Sequence, residues 1–162
     1  MLDTLFFHLL ILIIVANAGP ILIKNILNEK WNRPIDGGLK FVDGEPLFGK
    51  SKTWRGLTAS LIITPVIALM LGYSVQTGLL ISLLAMTGDL FSSFVKRRLK
   101  LPSSSMAPLL DQVPESLLPA VIMMRTFELT LFSIIMLILF FMIFELIVSQ
   151  ILYKMSIRKH PY

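Results

Sequence analysis

The sequence predicts an all-α polytopic membrane protein with about five transmembrane helices, its N-terminus outside and its C-terminus cytoplasmic. Three observations carry that expectation. The 162-residue chain is 55% hydrophobic and 15% charged, with a mean hydropathy of +0.78, whereas a soluble domain has about 25% charged residues. The apolar residues gather in runs close to the roughly 20 residues that a helix needs to cross a bilayer. Fourteen of the fifteen Lys and Arg residues fall in segments 24–55, 96–100 and 154–159, which are separated by those runs.

The first run, 5–23, is interrupted near its end by Asn17, Gly19 and Pro20, which loosen a helix where the basic segment begins. Ala16-Asn17-Ala18 has the form of a signal cleavage site. The start Met-Leu-Asp-Thr lacks a basic n-region, however, and the apolar run continues past Ala18, so this segment is expected to remain as a span. The second run, 57–73, contains Pro65. The third, 77–95, follows after only Ser-Val-Gln, so the two form a tight hairpin. The fourth, 109–124, carries Pro114 and Pro119 and is the weakest, with a re-entrant segment as its alternative. The fifth, 129–153, is broken only by Glu145 and Gln150.

With five spans, all three basic segments share one face and only Arg125 lies on the other, and the positive-inside rule then sets the orientation. A re-entrant fourth segment would put the tail on the wrong side. The expected organisation is a single integral membrane domain over 1–162 with cytoplasmic loops 24–56 and 96–108, in a multi-pass protein of the cell membrane. Basic loops account for the net charge of +5 and pI near 9.7, so nucleic acid is not an expected partner. The absence of cysteine excludes disulfides, thiolate nucleophiles and zinc–cysteine sites. Chemistry falls to carboxylates, amines, guanidiniums and hydroxyls.

Some residues are not explained by topology. Asp89 lies within the third run, and ionisable groups at such depth are costly and usually functional. On a helix, Asp89, Ser92, Ser93, Lys96 and Arg97 share one face; a purely structural ion pair of Asp89 with a neighbouring Lys or Arg is the alternative to a functional role. Asp111 and Glu115 follow the 96–100 cluster, and either could simply favour a helix N-terminus. Together with Asp89, carboxylates from two segments at one depth suit Mg²⁺, a hard cation that bridges to substrate phosphates. The segment Phe48-Gly-Lys-Ser-Lys-Thr-Trp-Arg-Gly56 sets Lys50, Lys52 and Arg55 against the second span, where they suit an anion. Gly44-Glu-Pro-Leu-Phe-Gly-Lys-Ser51 matches the P-loop pattern, but a membrane span follows it and no buried strand precedes it, so the match is rejected. His8 and Glu145 are lone polar groups in spans. Trp31 and Trp54 suit an interfacial belt.

Four motifs stand in order: Pro34-Ile-Asp-Gly-Gly38, Asp43-Gly-Glu-Pro-Leu-Phe-Gly-Lys-Ser-Lys-Thr-Trp-Arg-Gly56, Gly88-Asp-Leu-Phe-Ser-Ser-Phe-Val-Lys-Arg-Arg-Leu99 and Leu110-Asp-Gln-Val-Pro-Glu-Ser-Leu-Leu-Pro119. Over about 17–119 they resemble the CDP-archaeol synthase family, which is similar to the membrane phosphatidate cytidylyltransferases. The shared elements appear here as Gly88-Asp89 and Ser93-Phe-Val-Lys96-Arg97. The larger relatives carry His-Gly-Gly and Asp-Arg-x-Asp stretches where this chain has Leu110-Asp111-Gln112.

The resemblance implies transfer of CMP from CTP to a membrane lipid phosphate, either an archaeal-type ether lipid or phosphatidic acid, with release of pyrophosphate. It implies Asp89 and Asp111 as Mg²⁺ ligands, these two with Lys96 and Arg97 as catalytic groups, and Lys52, Arg55, Lys96 and Arg97 at the departing pyrophosphate. Substrate would be bound by Lys50, Lys52, Thr53, Arg55, Ser92, Ser93 and Gln112. The site is expected to face the cytoplasm, as a polar cavity at the ends of the second, third and fourth spans with a lateral gap for lipid chains. Self-association into a homo-oligomer is compatible with the sequence. A small transporter or ion-conducting protein using Asp89 is the alternative from another class, although no internal repeat is visible and the polar groups cluster near one face. A CDP-alcohol phosphotransferase would need an Asp-Gly-x-x-Ala-Arg signature, which is absent: neither Asp36-Gly37 nor Asp43-Gly44 is followed by it.

Overall fold

The computed structural model describes residues 3–27, 30–102, 105 and 107–154, without the side chain of Leu152. Arg158, Lys159 and His160 of the expected tail, and Ser103 and Ser104 of the expected loop, lie outside the described residues. Among the described residues the regular elements are α1 (Thr4–Leu27), α2 (Trp54–Met70), α3 (Val75–Arg98), α4 (Gln112–Ile122) and α5 (Leu131–Lys154), and the chain is all-α apart from two isolated bridges.

Helix length follows the apolar runs. α1, α3 and α5 have 24 residues each, about 36 Å at 1.5 Å per residue, and each contains a stretch long and apolar enough to cross a membrane. α2 is apolar over 17 residues. α4, with 11 residues, measures about 16 Å, half of a hydrocarbon core. It begins beside the middle of α3, where a Cβ on Gly88 would collide with the carbonyl of Pro114. It ends where Met123 and Phe127 join Phe6 of α1 and Tyr73 of the α2–α3 turn. The fourth expected span is thus a half-length helix preceded by non-helical chain. Such backbone is tolerated at membrane depth only where protein or water satisfies it. Here Lys96 Nζ donates to the carbonyl of Ser105 at 3.1 Å and Arg97 Nη2 to that of Pro102 at 2.9 Å.

Several boundaries differ from the sequence expectation. α1 continues to Leu27 through Asn17, Gly19 and Pro20, and Asn17 Nδ2 donates to the Ile13 carbonyl within the helix at 3.0 Å. α2 starts at Trp54 because Thr53, in extended conformation, caps it: its Oγ1 accepts from Gly56 N. Arg55 therefore belongs to a helix turn and not to the loop. α3 extends to Arg98, so Lys96 and Arg97 lie in its last turn, where cations complement the negative end of the helix dipole. The α1–α2 connection is correspondingly shorter than the expected loop 24–56, whereas the α3–α4 connection keeps the length of the expected loop 96–108 but is shifted three residues toward the C-terminus.

The α1–α2 connection has a structure of its own. Asp36, 6% exposed, accepts from Gly38 N through Oδ1 at 3.0 Å, and from Phe48 N at 2.9 Å and Gly49 N at 3.0 Å through Oδ2. Gly38 (φ +83°) and Gly49 (φ +92°) take left-handed conformations that side chains rarely adopt. Ile35 N donates to Lys52 O, and Trp54 N to Arg33 O, tying the start of the connection to its end. Burial alone would raise the pKa of Asp36; the amides of Phe48, Gly38 and Gly49 outweigh it and hold the carboxyl below its ordinary value.

Candidate active site

A cavity of about 300 Å³ opens where the end of α1, the start of α2, the middle of α3 and the α1–α2 connection meet. Its charged walls are Lys24 of α1, Lys50 and Lys52 of the connection, Arg55 of α2 and Asp89 of α3. Four cations and one carboxylate thus share the lining. Thr53, Gly56 and Leu57 bring the N-terminal turn of α2 to the same wall; the amides of Trp54, Gly56 and Leu57 are already bonded to Arg33 and Thr53, so this turn favours an anion through the positive end of its dipole. The floor is apolar, formed by Pro20, Met86 and Leu90.

Lys52 Nζ forms an ion pair with Asp89 Oδ1, and each side chain is about one-fifth exposed (20% and 19%). Burial would lower the ammonium pKa of Lys52; the Asp89 and Glu115 carboxylates opposite it prevail and hold it above the ordinary lysine value. Glu115, 6% exposed, reaches Asp89 from α4, and the two carboxyl groups are in hydrogen-bond contact. Gly88 makes this meeting possible, because only a residue without Cβ lets the Pro114–Glu115 backbone approach α3 so closely.

The other expected site residues are arranged differently. Lys96 Nζ pairs with Asp111 Oδ1 at 2.7 Å, and both side chains are nearly buried. Asp111 Oδ2 accepts from Ala107 N at 2.9 Å, and Gln112 Oε1 from Leu109 N at 3.0 Å. Ser92 Oγ donates to the Asp89 carbonyl, and Ser93 is buried. Lys96, Arg97, Ser92, Ser93, Asp111 and Gln112 are therefore not among the described residues that line the cavity. Lys96, Arg97, Asp111 and Gln112 hold the α3–α4 connection, while Ser92 bonds within α3 and Ser93 is buried. Lys50, Lys52, Thr53, Arg55 and Asp89 do line the cavity. The cavity is also closed by α1, through Pro20 and Lys24, in place of the fourth segment expected from sequence.

The expected carboxylate pair Asp89–Asp111 is not the pair in contact; the partner is Glu115, and each Asp is held by its own lysine. Asp111 and Glu115 are four residues apart and lie on one face of a helical turn, so sequence gave no means to choose between them. The signal that could have chosen was Gly88, whose lack of a side chain marks the point of closest approach. Asp36 reads in the sequence only as part of a motif, and its role as the hub of the connection appears in three backbone hydrogen bonds.

A cation-lined cavity with Asp89 in its wall, let into a bundle of apolar helices, three of them long enough to span a bilayer, defines an all-helical integral membrane protein. More particularly, the chain belongs to the CarS-like family described as CDP-archaeol synthase, whose model matches residues 1–162. Among its relatives, the CDP-archaeol synthase of Hyperthermus butylicus is 40% identical over 106 residues, covering 62% of this chain and 60% of that protein. The CDP-archaeol synthase of Thermococcus onnurineus is 40% identical over 109 residues, 60% of this chain and 61% of that one. The match thus spans about 60% of the length of these curated relatives. A solved structure described as an intramembrane enzyme for archaeal membrane lipid biosynthesis superposes with a TM-score of 0.71 at 28% identity, covering 88% of this chain and 90% of that one.

Proposed function

We propose that this protein is a CTP-dependent cytidylyltransferase that converts a membrane lipid phosphate, of the archaeal ether type, to CDP-lipid and pyrophosphate. The observation that carries the reading is the convergence of Lys24, Lys50, Lys52, Arg55 and the α2 N-terminus on one cavity beside Asp89. Such a wall suits a triphosphate. The names of the relatives supply the lipid class.

A phosphate oxygen of the lipid attacks the α-phosphorus of CTP, the bond from that phosphorus to the β-phosphate oxygen breaks, and pyrophosphate departs with the electron pair. The nucleophile is already anionic near neutral pH, so no strong general base is required. Catalysis then rests on positioning and on offsetting charge. The cavity cations hold the polyphosphate, and Lys52 lies closest to Asp89. The oxygen donors of Asp89 and Glu115 fit Mg²⁺, which is commonly held by one or two carboxylates together with substrate phosphates. They do not form a larger cluster, since no group of three or more metal-binding side chains occurs among the described residues. Bound there, Mg²⁺ would neutralise phosphate charge. With the orientation set by the basic segments, the cavity faces the cytoplasm, where CTP is found.

The test is purified protein in liposomes with labelled CTP, Mg²⁺ and a panel of isoprenoid-ether and acyl-ester lipid phosphates. CDP-lipid is expected, formed fastest with the ether lipid, and is expected to be lost in Asp89→Asn protein that still folds. Absence of CDP-lipid with every acceptor would refute the reading.

A further inference from the structure

The α1–α2 connection does more than wall the cavity. Its tip, around residues 39–47, passes to the far side of α3. At 100° per residue, Phe94 and Arg98 project about 140° and 180° away from Asp89 around the helix. The tip is fastened to that far side. Phe41 meets Phe94 edge to face at 5.3 Å. The Arg98 guanidinium lies 4.7 Å and 4.8 Å from the centroids of those two rings, pairs with Asp43 at 2.9 Å and donates to the carbonyl of Pro46 at 2.6 Å.

The outward side of this fastened tip is apolar. Val42 is 96% exposed, Leu39 67% and the adjoining Phe91 of α3 56%. Phe91 lies at about 200° from Asp89, on the same side of the helix as Phe94 and Arg98, so the tip continues the outward apolar surface of a spanning helix. Phe94 is one turn inside the end of a helix about 36 Å long, which puts the tip at the boundary between hydrocarbon and headgroups. Lys40, next to Leu39 in the tip, and Lys100, two residues beyond Arg98, are exposed and suited to anionic headgroups.

We propose that the tip of the α1–α2 connection is a membrane anchor, with Leu39 and Val42 inserted at the acyl boundary of the leaflet and the chain behind them strapped over α3 by Arg98. The bilayer thereby holds the far end of the segment that carries Lys50 and Lys52. This anchor does not depend on the reaction assigned to the cavity.

The chain has no cysteine, so single nitroxide labels on Val42→Cys and, separately, Leu39→Cys report one site each. In nanodiscs containing anionic lipid, collision with dissolved oxygen is compared with collision with a water-soluble nickel chelate, using Leu83→Cys on the outward face of α3 as the lipid reference. Both tip labels are expected to favour oxygen severalfold over a nitroxide free in buffer. Nickel accessibility equal to that of free label would overturn the proposal by leaving the tip in water. Screening from both reagents would overturn it in favour of a protein partner or a second copy. Because Val42 is almost wholly exposed, its replacement removes no packing, and Leu39→Cys provides an independent reading.

Discussion

Asp36→Asn tests whether one carboxylate organises the cavity wall. The carboxylate accepts two amides on Oδ2 and one on Oδ1. Asparagine has a single acceptor oxygen. In its best orientation that oxygen keeps Phe48 N and Gly49 N while the amide nitrogen faces Gly38 N. Two bonds then fall from charged to neutral acceptors, losing about 1 kcal/mol each, and one buried donor is left unpaired at about 1–3 kcal/mol, so the connection loses about 3–5 kcal/mol. Amide hydrogen exchange in detergent or nanodiscs should show Gly38, Phe48 and Gly49 exchanging about a hundredfold faster or more, at about 1.4 kcal/mol per tenfold change. The effect has a definite pH dependence. The folded pKa of Asp36 lies below its unfolded value of about 3.9, so its stabilisation is complete above that value and is lost as pH falls through the folded pKa. Protection of the wild-type connection should therefore decline in acid below about pH 4, and this step should be missing in the variant. Acceleration of less than about threefold at neutral pH would refute the reasoning, because the bonds would then be worth well under the range expected for charged acceptors.

Gly88→Ala should destabilise the bundle by about 1–3 kcal/mol, the usual cost of overpacking, and push the start of α4 from α3; thermal unfolding in detergent measures the first, and loss of turnover beyond that expected from unfolded protein measures the second. Glu115→Gln should shift the Mg²⁺ dependence of turnover to higher concentration with little change in melting temperature, whereas Asp111→Asn, which loosens the Lys96 clasp, should lower the melting temperature and leave the Mg²⁺ dependence nearly unchanged. The opposite pattern would return the metal role to Asp111.

Much of the architecture was legible because bilayer thickness imposes a length on apolar runs. α1, α3 and α5 follow from hydrophobic stretches long enough to span a bilayer. The ends were less legible. Proline and asparagine in 17–20 read as breakers, yet the helix passes through them, since a helix in lipid has few other ways to satisfy its backbone. The basic residues 96–98 read as loop because charge is expensive in hydrocarbon, but at a helix C-terminus the dipole and the interface both favour it. In the site, Lys50, Lys52, Thr53, Arg55 and Asp89 were recognisable as charge and hydroxyl types placed beside a span. What remained hidden was which carboxylate meets Asp89, because that depends on a backbone approach of 26–27 residues' sequence separation at Gly88. The fastening of the loop tip by Arg98 was hidden for a similar reason: Asp43 and Arg98 are distant in sequence and each reads as an ordinary surface charge.

The most direct measurement of the central claim follows the two ends of the triphosphate separately. Protein in liposomes with an ether lipid phosphate is given CTP labelled either at the α-phosphorus or at the γ-phosphorus, and the lipid and aqueous fractions are counted. Attack at the α-phosphorus predicts that the α label enters the lipid fraction while the γ label leaves as pyrophosphate, in equal amounts. Appearance of the γ label in lipid, or its release as inorganic phosphate with no label in lipid, would contradict the account.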